Sequence, residues 1–237
     1  MLETILELSD VSAGYQEKII LEKISFIVKR NETLAITGQN GSGKSTLLKT
    51  IARIISDNSG TITFKEEKID KLPTYKLREK GLSYFVQGGL VFSSLTVKEH
   101  FDLVLKGKSK VKKKELLEEC YKQFPDLIKL DNLLGGNLSG GQRQMLSFAM
   151  LISQETDVWL LDEPTAGLAT KIVDQVIGFL KRMKSKKTIV IVEHNAKVVS
   201  DLATRTIDID KFKKENNENK TLTNSDNSFF SFLLQRE

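Results

Sequence analysis

The sequence predicts an α/β fold: a parallel sheet flanked by helices, preceded by an antiparallel β part and interrupted by an inserted helical part. Three observations predict it. Residues 2 to 33 alternate apolar and polar positions, as in Leu2-Glu3-Thr4-Ile5-Leu6-Glu7-Leu8 and Ile24-Ser25-Phe26-Ile27-Val28, the two-residue period of half-buried antiparallel strands. Thr33-Leu34-Ala35-Ile36-Thr37 and Val158-Trp159-Leu160-Leu161 are apolar runs, as strands buried on both faces require. Between them, Thr96 to Lys106 and Lys112 to Phe124 carry helical periodicity, and Pro125 is the only proline of residues 88 to 138.

The N-terminal strands hold Tyr15, in Ser12-Ala13-Gly14-Tyr15. The strand at 33–37 then runs into Gly38-Gln39-Asn40-Gly41-Ser42-Gly43-Lys44-Ser45-Thr46, a complete G-x-x-x-x-G-K-[ST] phosphate loop followed by the helical pattern Leu47-Leu48-Lys49-Thr50-Ile51. Strand before and helix after are the context this loop needs. Its backbone N–H groups then wrap a triphosphate at the positive end of the helix dipole. Lys44 reaches the β- and γ-phosphates, and the Ser45 hydroxyl completes the coordination of a magnesium ion. A turn is expected at Asp57-Asn58-Ser59-Gly60, a strand at Thr61 to Phe64 and another ending at Gln87.

Beyond the helical stretch, the run from Val158 ends in adjacent carboxylates, Asp162 and Glu163, the pattern of a buried parallel strand delivering acids at its C-terminal edge. Asp162 is placed to hold magnesium, and Glu163 to polarise an attacking water. The β-α alternation then resumes: helix near Lys171 to Lys184, strand Thr188 to Val192, helix Ala196 to Ala203, strand Thr206 to Ile209.

Between the two acidic and phosphate motifs lies Leu138-Ser139-Gly140-Gly141-Gln142, followed by a helical pattern from Arg143 to Ile152. Locally this is a serine N-cap with a glycine-rich entry turn, which presents a hydroxyl and bare amides at a positive helix end. The L-S-G-G-Q string, together with the phosphate loop and the Asp162-Glu163 strand in this order, resembles the ATP-binding-cassette (ABC) ATPases. The resemblance covers about Leu2 to Ile209. It implies a P-loop NTPase core with an N-terminal antiparallel β subdomain (1–33) and an inserted α-helical subdomain (88–138), the core being 34–87 and 139–209, all within one domain over 1–237.

The resemblance also implies roles, position by position. Tyr15 matches the aromatic that stacks on adenine. Gln87, in Tyr84-Phe85-Val86-Gln87, matches the glutamine that links magnesium and attacking water to a membrane partner. His194, in Val190-Ile191-Val192-Glu193-His194, matches the histidine that contacts the γ-phosphate. Gly38 to Thr46 bind ATP in one subunit, and Ser139, Gly140, Gly141 and Gln142 close on the γ-phosphate held by another. Lys44, Gln87, Glu163 and His194 are thus the expected catalytic set; Ser45, Gln87 and Asp162 are the expected Mg2+ set. One position departs: after Ala166-Gly167-Leu168, Ala169 stands where many members carry Asp. That string, with Gln87-Gly88-Gly89 and Glu193-His194-Asn195, looks more like the ATPase subunits of branched-chain amino-acid importers and lipopolysaccharide-export systems.

Composition narrows the class further. No stretch approaches the roughly 18 uninterrupted apolar residues of a membrane span, and the N-terminus, with Glu3 and Glu7, lacks the pattern of a signal peptide. A single cysteine, Cys120, excludes an intrachain disulfide framework and a cysteine-based metal cluster. The net charge of +5 comes from lysine runs at 106–114, 181–187 and the tail from 211, without the interleaved aromatics that stack bases, so no nucleic acid partner is expected. Such charge suits a peripheral protein on an anionic inner leaflet.

The expected function is therefore the ATP-binding and ATP-hydrolysing subunit of an ABC transporter, cytoplasmic and peripheral on the inner face of the membrane. Its expected partners are a second ABC ATPase subunit and transmembrane permease subunits. Two other classes fit parts of the pattern: a soluble ABC ATPase serving assembly rather than transport, and a module that holds ATP without turnover, against which the intact Glu163 and His194 argue. Residues 213–228 are too polar to order themselves, and the apolar end Phe229-Phe230-Ser231-Phe232-Leu233-Leu234 is open between packing, strand formation and docking.

Overall fold

The computed structural model describes residues 3–212, apart from Glu17 and Asp57. The polar tail and its apolar end lie outside the described residues. The alternating N-terminal segment forms a long antiparallel hairpin of β1 (Thr4–Tyr15) and β2 (Lys18–Lys29). Its inward set, including Leu6, Leu8, Val11, Leu21, Ile24 and Val28, is fully buried.

After β3 (Thr33–Thr37) and α1 (Lys44–Ile51), the chain returns to this hairpin. β4 (Asn58–Phe64) pairs antiparallel with β1, and the two-residue β5 (Glu67–Lys68) pairs with β4, giving the order β2-β1-β4-β5. The expected turn at 57–60 is therefore already strand from Asn58, which pairs with Ala13, while Ser59 pairs with Ser12. The antiparallel part takes back a segment of 34–87 because Ile62 and Phe64 bury completely on the hairpin's inner face.

The remaining elements build a five-stranded parallel sheet in the order β6-β7-β8-β3-β9. They are α2 (Thr74–Lys80), β6 (Leu82–Phe85), α3 (Val97–Val104), α4 (Lys110–Gln123), α5 (Gly140–Ser153), β7 (Val158–Asp162), α6 (Thr170–Met183), β8 (Thr188–Val192), α7 (Ala196–Leu202) and β9 (Arg205–Asp208). Short 3-10 turns at Pro125–Leu130 and Gly135–Asn137 connect α4 to α5. α3 opens on a capping box, with Thr96 and Glu99 satisfying each other's backbone N–H groups.

Alternation along the central strands divides the core in two. Ala35, Trp159, Leu161, Ile189 and Ile191 face the helices α3 to α7; Leu34, Ile36, Val158, Leu160, Val190 and Val192 face α1 and the antiparallel sheet. On the first side Phe148 of α5 stacks on Phe85 at 4.5 Å and meets Phe179 of α6 at 5.1 Å, and Phe179 stacks on Trp159 at 6.1 Å. These rings clamp α5 and α6 to the sheet. The C-terminal ends of β3, β6, β7 and β8 then lie along one edge, where an open parallel sheet places its ligand.

Candidate functional site

The loop after β3 is shaped by its glycines and by a late partner. Gly38 (φ 142°) and Gly43 (φ 100°) lie in backbone conformations that side chains resist, and a methyl at Gly43 would stand 2.8 Å from Leu21 Cδ2. The Gln39 N–H donates to Asp210 Oδ2 at 2.7 Å, so a residue two positions past the end of β9 tethers the loop's entry. Lys44 opens α1 with its side chain folded over the loop, Nζ donating to the carbonyls of Gly38 (3.0 Å) and Gln39 (2.7 Å). Burial lowers its pKa below the usual lysine value, against the pull of Glu163, Asp210, Asp162 and Asp208.

Two carboxylates end β7, and they sit differently. Asp162 is 2% exposed, and both its oxygens have donors: Ser45 Oγ to Oδ1 at 2.8 Å and the Tyr84 hydroxyl to Oδ2 at 2.7 Å. Burial, reinforced by Asp162, raises the Tyr84 phenol pKa far above its ordinary value, so it remains a donor. Glu163 leaves the sheet with φ at 43°, a conformation costly for a non-glycine residue, held by its N–H on Val192 O at 3.0 Å. Its carboxylate accepts from Gln87 Nε2 at 2.7 Å and lies 3.3 Å from His194 Nε2. His194 is aimed by the buried Glu193, whose Oε1 accepts from the His194 and Asn195 N–H groups and whose Oε2 accepts from Thr165 Oγ1.

These groups share an open cleft of ≈ 640 Å³ lined by Tyr15, Ile20, Asn40, Gly41, Gly43, Lys44, Ser45, Thr46, Glu163 and His194. Tyr15 is exposed at the end of β1, its ring free to receive a flat partner. Asp162 and Gln87 join through their bonds to Ser45 and Glu163. The segment Ser139–Gln142 does not line this cleft. It opens α5 as a capping box, Ser139 Oγ accepting from Gln142 N–H and Gln142 Oε1 accepting from Ser139 N–H at 2.8 Å. Ala169 is the exposed N-cap of α6 and provides no side-chain cap.

A magnesium ion fits this donor set. Ser45 Oγ and Asp162 Oδ1 are hard oxygen donors already in contact, and one carboxylate plus one hydroxyl is the sparse protein contribution expected when phosphates and water supply the rest. Among the described residues no cluster of three or more His, Cys, Asp or Glu offers an all-protein metal site.

Four residues at the site stand outside the functional motifs of the sequence: Tyr84 and Glu193, which read there only as strand members, Thr165, and Asp210. For Tyr84 the signal was a hydroxyl inside an apolar run. For Asp210, which lies 171 positions from Gln39, the sequence carries none.

Fold and site together define a phosphate-loop nucleotide-binding domain with paired carboxylates. Residues 21–166 match the family model described as ABC transporter, and the chain belongs to that family. It is 34% identical over 197 residues to a probable branched-chain amino acid transport ATP-binding protein, LivF, of Archaeoglobus fulgidus, covering 82% of each chain. It is 35% identical over 208 residues to the petrobactin import ATP-binding protein YclP of Bacillus subtilis, covering 83% of this chain and 81% of that one. A solved ATP-binding cassette, dimeric in a post-hydrolysis state with ADP and Pi, superposes with a TM-score of 0.76 at 26% identity over 86% of this chain and 94% of its own. The chain is thus an ATP-binding subunit of the ABC transporter type and an ABC-type ATPase, with the α/β fold of those cassettes. Among the described residues no helix is long and apolar enough to cross a membrane.

Proposed function

We propose that two copies of this chain, or this chain and a similar one, sandwich two Mg-ATP molecules and use their hydrolysis to drive a separate membrane permease from its cytoplasmic side. The observation that carries this is the Glu163 carboxylate, held between Gln87 and His194 in the cleft that also contains Lys44 and Ser45. The loop amides of 38–46 and the Lys44 ammonium bind the phosphates, and Tyr15 stacks on the adenine. Ser45 and Asp162 hold the magnesium ion, which neutralises charge on the phosphate oxygens when bound. Glu163 accepts the proton of the water whose oxygen forms the new bond to the γ-phosphorus, as the bond from that phosphorus to ADP breaks. His194 donates toward the γ-phosphate, and Gln87 orients Glu163 and the water. Ser139 to Gln142 of the second copy complete the site from across the interface.

A groove beside Gln87 supports the permease partner. It is a cleft of ≈ 300 Å³ between β6, α3 and α5, with Leu90, Phe92 and Leu103 exposed on its walls. An apolar helix from a membrane subunit fits such a surface, and movement there is transmitted through Val86 to Gln87. The relatives' differing cargoes, branched-chain amino acids and petrobactin, support a reading in which substrate choice lies with the permease.

The test is Glu163→Gln. It keeps ATP binding while turnover falls by about 10²–10⁴, and an ATP-bound dimer accumulates in size-exclusion chromatography with light scattering. Unchanged turnover overturns the base assignment; a monomer under every nucleotide condition overturns the shared site.

A further inference from the structure

Tyr84 stands where the site meets the outer surface. Its hydroxyl donates to Asp162 Oδ2 at 2.7 Å, opposite Ser45 Oγ on Oδ1 at 2.8 Å, so a buried carboxylate has a donor on each oxygen. A buried carboxylate oxygen with no donor has lost its water and gained nothing in exchange. Two donors on different elements, α1 and β6, also fix the plane of the carboxylate, which one donor leaves free to turn. The register of β6 and β7 sets Tyr84 opposite Leu160, two positions short of Asp162, and the long phenol spans that offset. Its ring packs against the core beneath the sheet and walls two surface clefts, the groove with Leu90 and Phe92 and another of ≈ 710 Å³ with Ile54, Tyr75 and Leu77. The half-buried ring brings its hydroxyl to Asp162 Oδ2.

We propose that Tyr84 is a positioning residue of the ATPase: its hydroxyl holds Asp162 so that Oδ1, beside Ser45 Oγ, faces the divalent cation carried by the nucleotide. The proposal rests on the nucleotide reading above and gives Tyr84 no contact with substrate. Hydrogen-bond partners of this kind typically change metal affinity by about tenfold or more when removed.

The experiment compares wild type with Tyr84→Phe, which removes one oxygen and keeps the ring. Both are titrated with Mn2+ in the presence of ADP, with free Mn2+ read by electron paramagnetic resonance. Affinity for a fluorescent ADP analogue is measured in EDTA alongside. The expected result is Mn2+ binding weakened about tenfold with metal-free nucleotide affinity unchanged. During turnover the Mg2+ needed for half-maximal rate rises, while KM for ATP at saturating Mg2+ holds. Tyr84→Met, which also fills space without a donor, behaves the same way. Mn2+ affinity equal to wild type in Tyr84→Phe overturns the proposal. So does an equal loss of nucleotide affinity with and without metal, which marks a packing role. Wild type whose nucleotide binding ignores Mn2+ overturns the proposal together with the reading beneath it.

Discussion

Gln87 Nε2 donates to Glu163 Oε2 at 2.7 Å, tying the loop after β6 to the end of β7. Gln87 is exposed, so its side chain contributes little to folding. Gln87→Ala leaves Glu163 oriented by His194 alone. Steady-state kinetics should show kcat reduced about tenfold or more with KM for ATP and the melting temperature near wild type. A normal kcat would remove Gln87 from the machinery.

The parallel strands were legible because their signal is local. Thr188–Val192 is a β-branched and apolar run bounded by lysines and by Glu193-His194, and the strand occupies those residues. The pairing of β4 with β1 was not, because a short alternating segment does not say which of two sheets it joins; that is decided by where Ile62 and Phe64 find a core. α2 was missed since only Leu77 of Thr74–Lys80 is buried, leaving no stripe to read. At the site, residues in fixed motifs were visible and their supports were not. Lys44, Ser45, Asp162 and Glu163 follow from spacing, whereas Tyr84, Glu193 and Asp210 act through distances that only the folded sheet creates.

Cys120 is fully buried between α4 and α5, its thiol donating to Ala149 O at 3.1 Å, and burial pushes its pKa up to about 12. The thiolate is the reactive form, so native protein at pH 8 should react with an aromatic disulfide reagent only as fast as it opens. Guanidinium should expose one thiol per chain that reacts at the ordinary rate. Rapid labelling of the native protein would contradict the packing of α4 on α5.

Glu32 begins the segment that leads through β3 to the phosphate loop, and it is 8% exposed. Burial raises its pKa, but the Arg205 guanidinium (2.6 Å) and the Lys29 N–H (2.7 Å) outweigh this and hold it below the usual carboxylate range. A carboxyl depressed in the folded state stabilises above its unfolded pKa, near 4.5, and the contribution disappears as pH falls through the folded value. Glu32→Gln should therefore destabilise by roughly 1–2 kcal/mol at pH 7, discounted because Arg205 is partly exposed. In urea titrations the difference from wild type should shrink steadily below pH 4.5. A difference independent of pH would mean that the charge plays no part.

Gly140 and Gly141 open α5 side by side, yet a methyl group meets different surroundings at each. At Gly141 it would stand 3.0 Å from Ile172 on α6; at Gly140 nothing lies within 4 Å. Within one chain, Gly140→Ala costs nothing sterically, and at a helical position it should raise stability by about 0.4–1 kcal/mol by narrowing the unfolded ensemble. If Ser139 to Gln142 face a second subunit's phosphates, the same methyl occupies the space through which the bare amides approach. ATPase activity should then fall at least about tenfold, with the Glu163→Gln dimer weakened when the two changes are combined, while the monomer's ADP affinity stays as in wild type. A variant that is more stable, binds ADP normally and yet fails in turnover locates the missing contact outside the chain. Full activity in Gly140→Ala would place the second half of the site elsewhere.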